Sequence, residues 1–355
     1  MERVKNIESL SLMFTAGVVA GTVFFPGAGI WLPALLLPLA SLPILAKERL
    51  LRMKESASLP LLLGSFLLLG MFCARTAALP WADTPNPLEL LADSAVASLR
   101  ARIHSLPFSS GDTAHLLDAL LTGDRSGLSA RITELFRQSG ASHILALSGL
   151  HMGILYGLLV VATRPMGHSP LAGYVRAGLL VGSAGFFTLM AGAGPSLVRA
   201  FLFISLNELL RALGRPRKAS RVFCTALLIQ LVWDPSVVGS TGFQLSYLAM
   251  AGIFLLYPVL ERWYPEGASW NPLRRIWKLA ALSISCQAFT APLAWLRFHS
   301  FPQYFLVTNL LALPLTTALM TTALAAIVLG WQPLITATDG LSRLLLWVLE
   351  VISSM

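Results

Sequence analysis

Charge is what this sequence has least of. Asp, Glu, Lys and Arg together make up 12% of its 355 residues, against 55% hydrophobic ones, whereas a soluble domain carries about 25% charged residues. That is too little polar surface to face water all round, which excludes an ordinary soluble enzyme or binding module and leaves a polytopic membrane protein. Cysteine is scarce as well. Cys73, Cys224 and Cys286 all stand in apolar stretches with no pair at metal-ligand spacing, so they read as small core residues. Histidine patterns are missing too: His104, His115, His143, His151, His168 and His299 form no H-x-H or H-E-x-x-H spacing. No metal and no cofactor is therefore expected. A phosphate-cradling P-loop is also lacking, which removes a nucleotide-powered step from this chain.

What the sequence has in abundance is apolar length. Windows of about 20 residues mark about eleven membrane segments, at 10–26, 28–46, 58–79, 143–162, 171–191, 195–213, 220–234, 242–260, 276–297, 303–330 and 333–352. The expected fold class is all-α, a polytopic helical bundle. The opening "MERVKNIESLSLMFTAGVVAGTVFFPGAG" is basic and then apolar, as a signal peptide is. Further apolar segments follow at once, so it reads as a retained first span.

The excess of 26 Lys and Arg over 17 Asp and Glu has two open readings. One is the positive bias of cytoplasmic loops, the other contact with a polyanion. Three basic clusters stand out: Lys47, Arg49, Arg52 and Lys54; Arg211, Arg215, Arg217, Lys218 and Arg221; and Arg274, Arg275 and Lys278. They follow the second, sixth and eighth segments, so all three reach the cytoplasm if the N-terminus is cytoplasmic. Residues 80–142 then lie on the far face. The expected division is N-terminal membrane helices over 1–82, extracytoplasmic or interfacial amphipathic helices over 83–142, and a membrane core over 143–355.

In the far-side segment, "LELLADSAVASLRARIHSL" places Leu88, Leu91, Ala95, Leu99, Ile103 and Leu106 on one helical stripe. "SGDTAHLLDALLTGD" starts at a cap on Asp112 or Thr113 and stops at Gly123, and "SARITELFRQSG" runs from Ser129 to Gly140. Helices of this kind lie on or in the membrane interface. They form either a surface cap or a vestibule that receives a substrate.

The run "HILALSGLHMGILYG" reads as a helix beginning at His143. At about 100° per residue, Gly149, Gly153 and Gly157 form a small-residue seam for close helix packing. Ser148 and His151 point away from that seam. A polar side chain in hydrocarbon must find a partner or water, so these two are expected to face a polar interior. Other spans carry polar stripes too: Ser196, Arg199 and Asn207; Gln244 and Ser246; Ser283, Gln287 and Thr290; Thr308, Asn309 and Thr316. Any one of them could be a plain interhelical hydrogen bond; polar stripes on five spans point to a shared aqueous path. Pro292 and Pro314 suggest kinked or broken helices along it. Ser148 and His151 also raise a hydrolytic dyad, but neighbours on one helix aim outward in parallel, and no G-x-S-x-G elbow surrounds the serine. No catalytic residue is assigned, and the chain is not expected to be an enzyme.

Four blocks occur in order: "LLTGDRSGL" with "FRQSGASHILALSGLHMG", then "GAGPSLVRAFLF", "DPSVVGSTGFQLSYLAMAGI" and "FPQYFLVTNLLALPL". Together they resemble the ComEC competence-protein family, the inner-membrane channel for DNA uptake, over roughly residues 115–320. The resemblance implies that 143–355 is a competence-type channel core, importing single-stranded DNA during natural transformation across the cell inner membrane. Ser148, His151, Ser196, Arg199, Asn207, Gln244, Ser246, Gln287 and Asn309 would line it, with Arg199 meeting the phosphate backbone. Arg125, Arg131 and Arg137 would gather DNA at the far-side mouth, while Asp124 and Ser126 cap a turn. The implied partners are single-stranded DNA, membrane lipid, and a DNA receptor, a nuclease and a cytoplasmic motor on separate chains, with an oligomer open.

Family members commonly add an oligonucleotide-binding-like domain and a metallo-β-lactamase-like domain. Neither is recognisable here, so strand-degrading activity does not carry over. A channel-only member, half of a split system and a truncated product all stay open. A transporter of a small anionic solute, and less so an intramembrane hydrolase, are the rival functions.

Overall fold

A computed structural model describes residues 6–23, 55–77, 87–167, 169–264, 272–299 and 303–354. Helices make up nearly all of it, and no strand occurs among the described residues. They are α1 (Asn6–Val23), α2 (Glu55–Ala77), α3 (Pro87–Ser105), α4 (Gly111–Thr122), α5 (Ala130–Gln138), α6 (Ser142–Leu145), α7 (Gly149–Ala162), α8 (Pro170–Met190), α9 (Pro195–Ala212), α10 (Ala219–Trp233), α11 (Thr241–Leu255), α12 (Tyr257–Glu261), α13 (Pro272–Phe298), α14 (Phe305–Leu329) and α15 (Gln332–Ser353).

Four of these, at Leu59–Thr76, Leu171–Met190, Pro272–Phe298 and Phe305–Leu329, are long and apolar enough to cross a bilayer. The expected count of about eleven is not what the described residues show. The segment at 28–46 and the basic cluster Lys47–Lys54 lie outside them. The 143–162 run is broken, leaving α7 with 14 residues, and the 242–260 run breaks between α11 and α12, where Pro258 removes a backbone donor. Pro292 and Pro314, by contrast, sit inside continuous helices. α9 is long enough but carries Arg199, Glu208 and Arg211. Leu171, Val175, Leu179 and Phe186 of α8 form an exposed apolar stripe, as a lipid-facing surface requires.

The chain groups into two compact units. The first takes residues 1–84 and 202–244. In it, α1 and α2 approach until their backbones touch. A Cβ on Gly17 would fall on the Leu67 carbonyl oxygen, one on Gly70 on the Phe14 carbonyl oxygen, and one on Gly21 would lie 2.9 Å from the Ala74 Cβ. Two small-xxx-small pairs, Gly17/Gly21 and Gly70/Ala74, make that approach possible. α10 packs on α1.

The second unit takes residues 85–201 and 245–355. Its core is built on α4, against α14 and α15. Ser110 caps α4 and Gly123, at φ 82°, ends it, close to the caps read from sequence. α4 is not the interfacial helix expected, however. Thr113, Ala114 and every residue from Leu116 to Thr122 are buried. Thr113 is answered from inside the fold: its hydroxyl donates to Asp339 Oδ1 at 2.7 Å, and Arg343 donates to Asp339 Oδ2 at 2.6 Å. The α3 stripe is likewise buried only toward its end, at Ile103 and Leu106, while Leu88 and Leu91 stand exposed.

Candidate nucleic-acid interface at the start of helix α7

"HILALSGLH" does not form one helix. α6 stops at Leu145, Ala146 and Ser148 are extended, and the chain re-enters helix at Gly149. Ser148 is the N-cap. Its Oγ accepts the Leu150 N–H at 3.3 Å, and its own N–H donates to His151 Nδ1 at 3.2 Å. His151 thus takes the place that Glu or Gln holds in most capping boxes. Ser148 and His151 do not aim outward in parallel as expected, because Ser148 lies before the helix. Their Oγ and Nδ1 are 3.1 Å apart.

Because Nδ1 accepts a backbone N–H, the neutral ring carries its hydrogen on Nε2. That Nε2 is buried without a partner among the described residues. His151 borders a cleft of about 290 Å³ with Leu155, Leu159, Phe186, Phe187 and Met190, where Ser183 is the one other polar side chain. The polar interior expected beside His151 is, at this point, mostly hydrocarbon. Among the described residues no acidic group orients the imidazole from Nε2, as a serine–histidine pair needs for nucleophilic work. Ser148→Ala is therefore expected to cost about 1 kcal/mol of stability, as N-cap losses do, and to leave the protein's activity in place. Thermal midpoints and transformation assays read this, and inactivity at normal protein level would instead assign Ser148 a chemical role.

The opposite face of α7 does hold Gly149, Gly153 and Gly157, but not as a packed seam. They border an open groove of about 470 Å³ whose other wall includes Thr317 and Thr321 of α14. A Cβ on Gly153 or Gly157 would meet nothing within 4 Å among the described residues. Only Gly149 has close neighbours: its Cβ would stand 3.5 Å from Arg199 Nη2 and 3.6 Å from the Ala200 Cβ.

Arg199 comes from the second turn of α9 and is held from α11. Its Nε donates to Ser246 Oγ at 2.6 Å, and its guanidinium carbon lies 5.9 Å from the Tyr247 ring centroid, a cation–π distance. The remaining edge of the guanidinium stands at the first residue of α7. A helix N-terminus already carries partial positive charge, so a cation placed there repels it and does nothing for the fold by itself. An anion offsets that repulsion, and a planar guanidinium fork beside the start of a helix suits a phosphate.

The other expected lining residues divide. Asn309 on α14 comes within hydrogen-bond reach of His143, and its Oδ1 is buried without a partner among the described residues, as is Thr316 Oγ1. Ser196 and Gln287 are half-buried on α9 and α13. Asn207 donates back to the Phe203 carbonyl and Gln244 to the Val238 carbonyl, both within the first unit. These two are satisfied locally. Tyr247, next to Ser246, escaped sequence reasoning, although an aromatic beside a polar residue in an apolar helix is a usable signal.

Of the three arginines expected to gather DNA, Arg125 is exposed in the "GDRSG" turn. Arg131 pairs with Glu350 at 2.7 Å, and Arg137 forks onto Glu134 at 2.6 and 2.8 Å. Both are paired with exposed carboxylates, which leaves Arg125 the more available cation. The turn itself is built as expected. Ser126 donates its N–H to Asp124 Oδ1 at 2.9 Å, and Arg100 pairs with Asp124 Oδ2 at 2.8 Å. The Ser126 hydrogen bonds and then Arg100 hold the Asp124 carboxyl below its ordinary range.

Comparison with known proteins bears on this arrangement. The sequence profile of a family described as Competence protein matches residues 120–355. The chain belongs to that family. It is 26% identical over 227 residues to ComE operon protein 3 of Bacillus subtilis, covering 62% of this chain and 27% of that one. It is 29% identical over 246 residues to competence protein ComA of Neisseria gonorrhoeae, covering 66% and 34%. Recombination protein 2 of Haemophilus influenzae is 24% identical over 220 residues, covering 58% and 27%. The chain thus spans about a third or less of the length of the curated relatives it matches. No solved structure matches it. The names of these relatives speak of competence and recombination and of no enzymatic activity, and the apolar helices fit a membrane protein.

Proposed function

We propose that this chain is the membrane-embedded part of a channel that passes single-stranded DNA into the cell during natural transformation. The observation that carries the reading is Arg199, fixed by Ser246 and Tyr247 beside the capped start of α7. Phosphates dominate the energetics of any nucleic-acid contact, and a cation at a helix N-terminus is chemistry for holding one at a time. Orphaned polar atoms on His151, Asn309 and Thr316 add groups that a hydrated strand or its water could satisfy. The names of the relatives point the same way. In this reading the protein sits in the inner membrane with its N-terminus in the cytoplasm. A DNA receptor, a nuclease and a motor act from separate chains.

A carrier of a small anionic solute would share the Arg199 site, and one experiment separates the two. A clean deletion strain is expected to lose transformation by linear DNA, with recovery on complementation by the full gene. Unchanged transformation frequency in the deletion overturns the import role and leaves the solute reading.

A further inference from the structure

His104, His115 and Asp118 are far apart in pattern and close in space. His104 sits in the last turn of α3; His115 and Asp118 sit on α4. One ligand atom from each lies within 4.8 Å of the other two. His104 Nε2 is 2.7 Å from Asp118 Oδ2, and the two imidazoles meet edge to face with centroids 5.3 Å apart. A simple His104–Asp118 ion pair accounts for one of these contacts and leaves two facts over. Asp118, 7% exposed, has a second oxygen, Oδ1, that is buried with no hydrogen-bond partner among the described residues. His115 is pressed into place: a Cβ on Gly127 would collide with His115 Nδ1 and lie 2.8 Å from Cε1, so the glycine of the "GDRSG" turn is shaped around that ring.

An orphaned carboxylate oxygen within the core is costly. A cation beside two imidazoles removes the cost. The geometry points to a divalent transition-metal site, of the zinc class, held by His104, His115 and Asp118. Nitrogen and carboxylate ligands suit Zn²⁺ at about 2.0–2.2 Å each. Tetrahedral ligands at those lengths stand roughly 3.3 Å apart, which small side-chain rotations give from the present separations. His104 is 44% exposed at its side chain, so an ion has a path in from solvent and water can complete its coordination. The ion would clamp the end of α3 to α4, directly before the turn that carries Arg125. Sequence spacing could not show this, because the ligands come from two helices with ten residues between the histidines.

The test uses the full chain, metal-stripped and reconstituted in lipid nanodiscs, titrated with Co²⁺ and followed by visible absorption. One equivalent is expected to give the intense d–d bands of low-coordinate Co²⁺, which Zn²⁺ then bleaches. His104→Ala changes an exposed residue and should leave the elution profile unaltered while weakening Co²⁺ at least about 100-fold, the upper end of what even outer-shell changes cost. His115→Ala and Asp118→Asn should do the same, and if either fails to fold, His104→Ala decides. Only the pale spectrum of hydrated Co²⁺ in the wild type, or equal binding in His104→Ala, overturns the site. DNA import is not the readout, so the metal site and the channel reading fail separately.

Discussion

Arg199→Ala is expected to lower transformation frequency about ten- to a hundredfold while the protein remains in the membrane at wild-type level. A charge-assisted hydrogen bond is worth about 1.5–3 kcal/mol, and each 1.4 kcal/mol is tenfold. The side chain is half-buried and its Nε is already used by Ser246. What alanine removes is therefore the free edge at Gly149 along with the anchor. Arg199→Lys keeps charge but loses the fork and the bond to Ser246, so an intermediate defect is expected. Ser246→Ala loosens the anchor alone and should cost less than either. The ordering Ala, Lys, Ser246→Ala separates anion binding from packing. Equal and wild-type uptake in all three, at equal protein level, would return Arg199 to a plain helix–helix tie.

Much of this was legible without coordinates. Gly123 and Ser129 announced a helix end and a helix start, because capping is local chemistry that depends on a few neighbouring residues. The two faces of α7 were legible too: residues 151, 155 and 159 border one cavity while 149, 153 and 157 border the other. Ser148 was misread because "HILALSGLH" is mostly apolar, and hydropathy does not register a break of three residues, Ala146 to Ser148. α4 was misplaced for the converse reason. Thr113 and Asp118 look like surface residues until Asp339 and His104 arrive from elsewhere in the chain to answer them. Arg131 looked free for the same reason, since Glu350 is distant in sequence from it, whereas the Glu134–Arg137 pair lies three residues apart on one helix. For Thr113, Asp118 and Arg131, what the pattern missed was the partner.

The glycines carry this furthest. Gly17→Leu is expected to cost at least the upper end of the roughly 1–3 kcal/mol typical of overpacking, because its Cβ meets the Leu67 carbonyl, which is backbone and cannot rotate aside. Gly153→Leu, on the seam that sequence favoured, is expected to be close to neutral, since its Cβ projects into an open groove. Both glycines sit in the same small-xxx-small spacing, so composition cannot distinguish them; the approach of a second backbone does. Membrane yield, elution profile and thermal midpoint in mild detergent compare the two directly. Gly17→Leu should fall in all three and Gly153→Leu in none. A normal Gly17→Leu protein would mean that α1 and α2 do not touch as described. A Gly153→Leu protein that fails as badly would mean that the α7 groove is filled by another helix, and the seam read from sequence would regain its packing role.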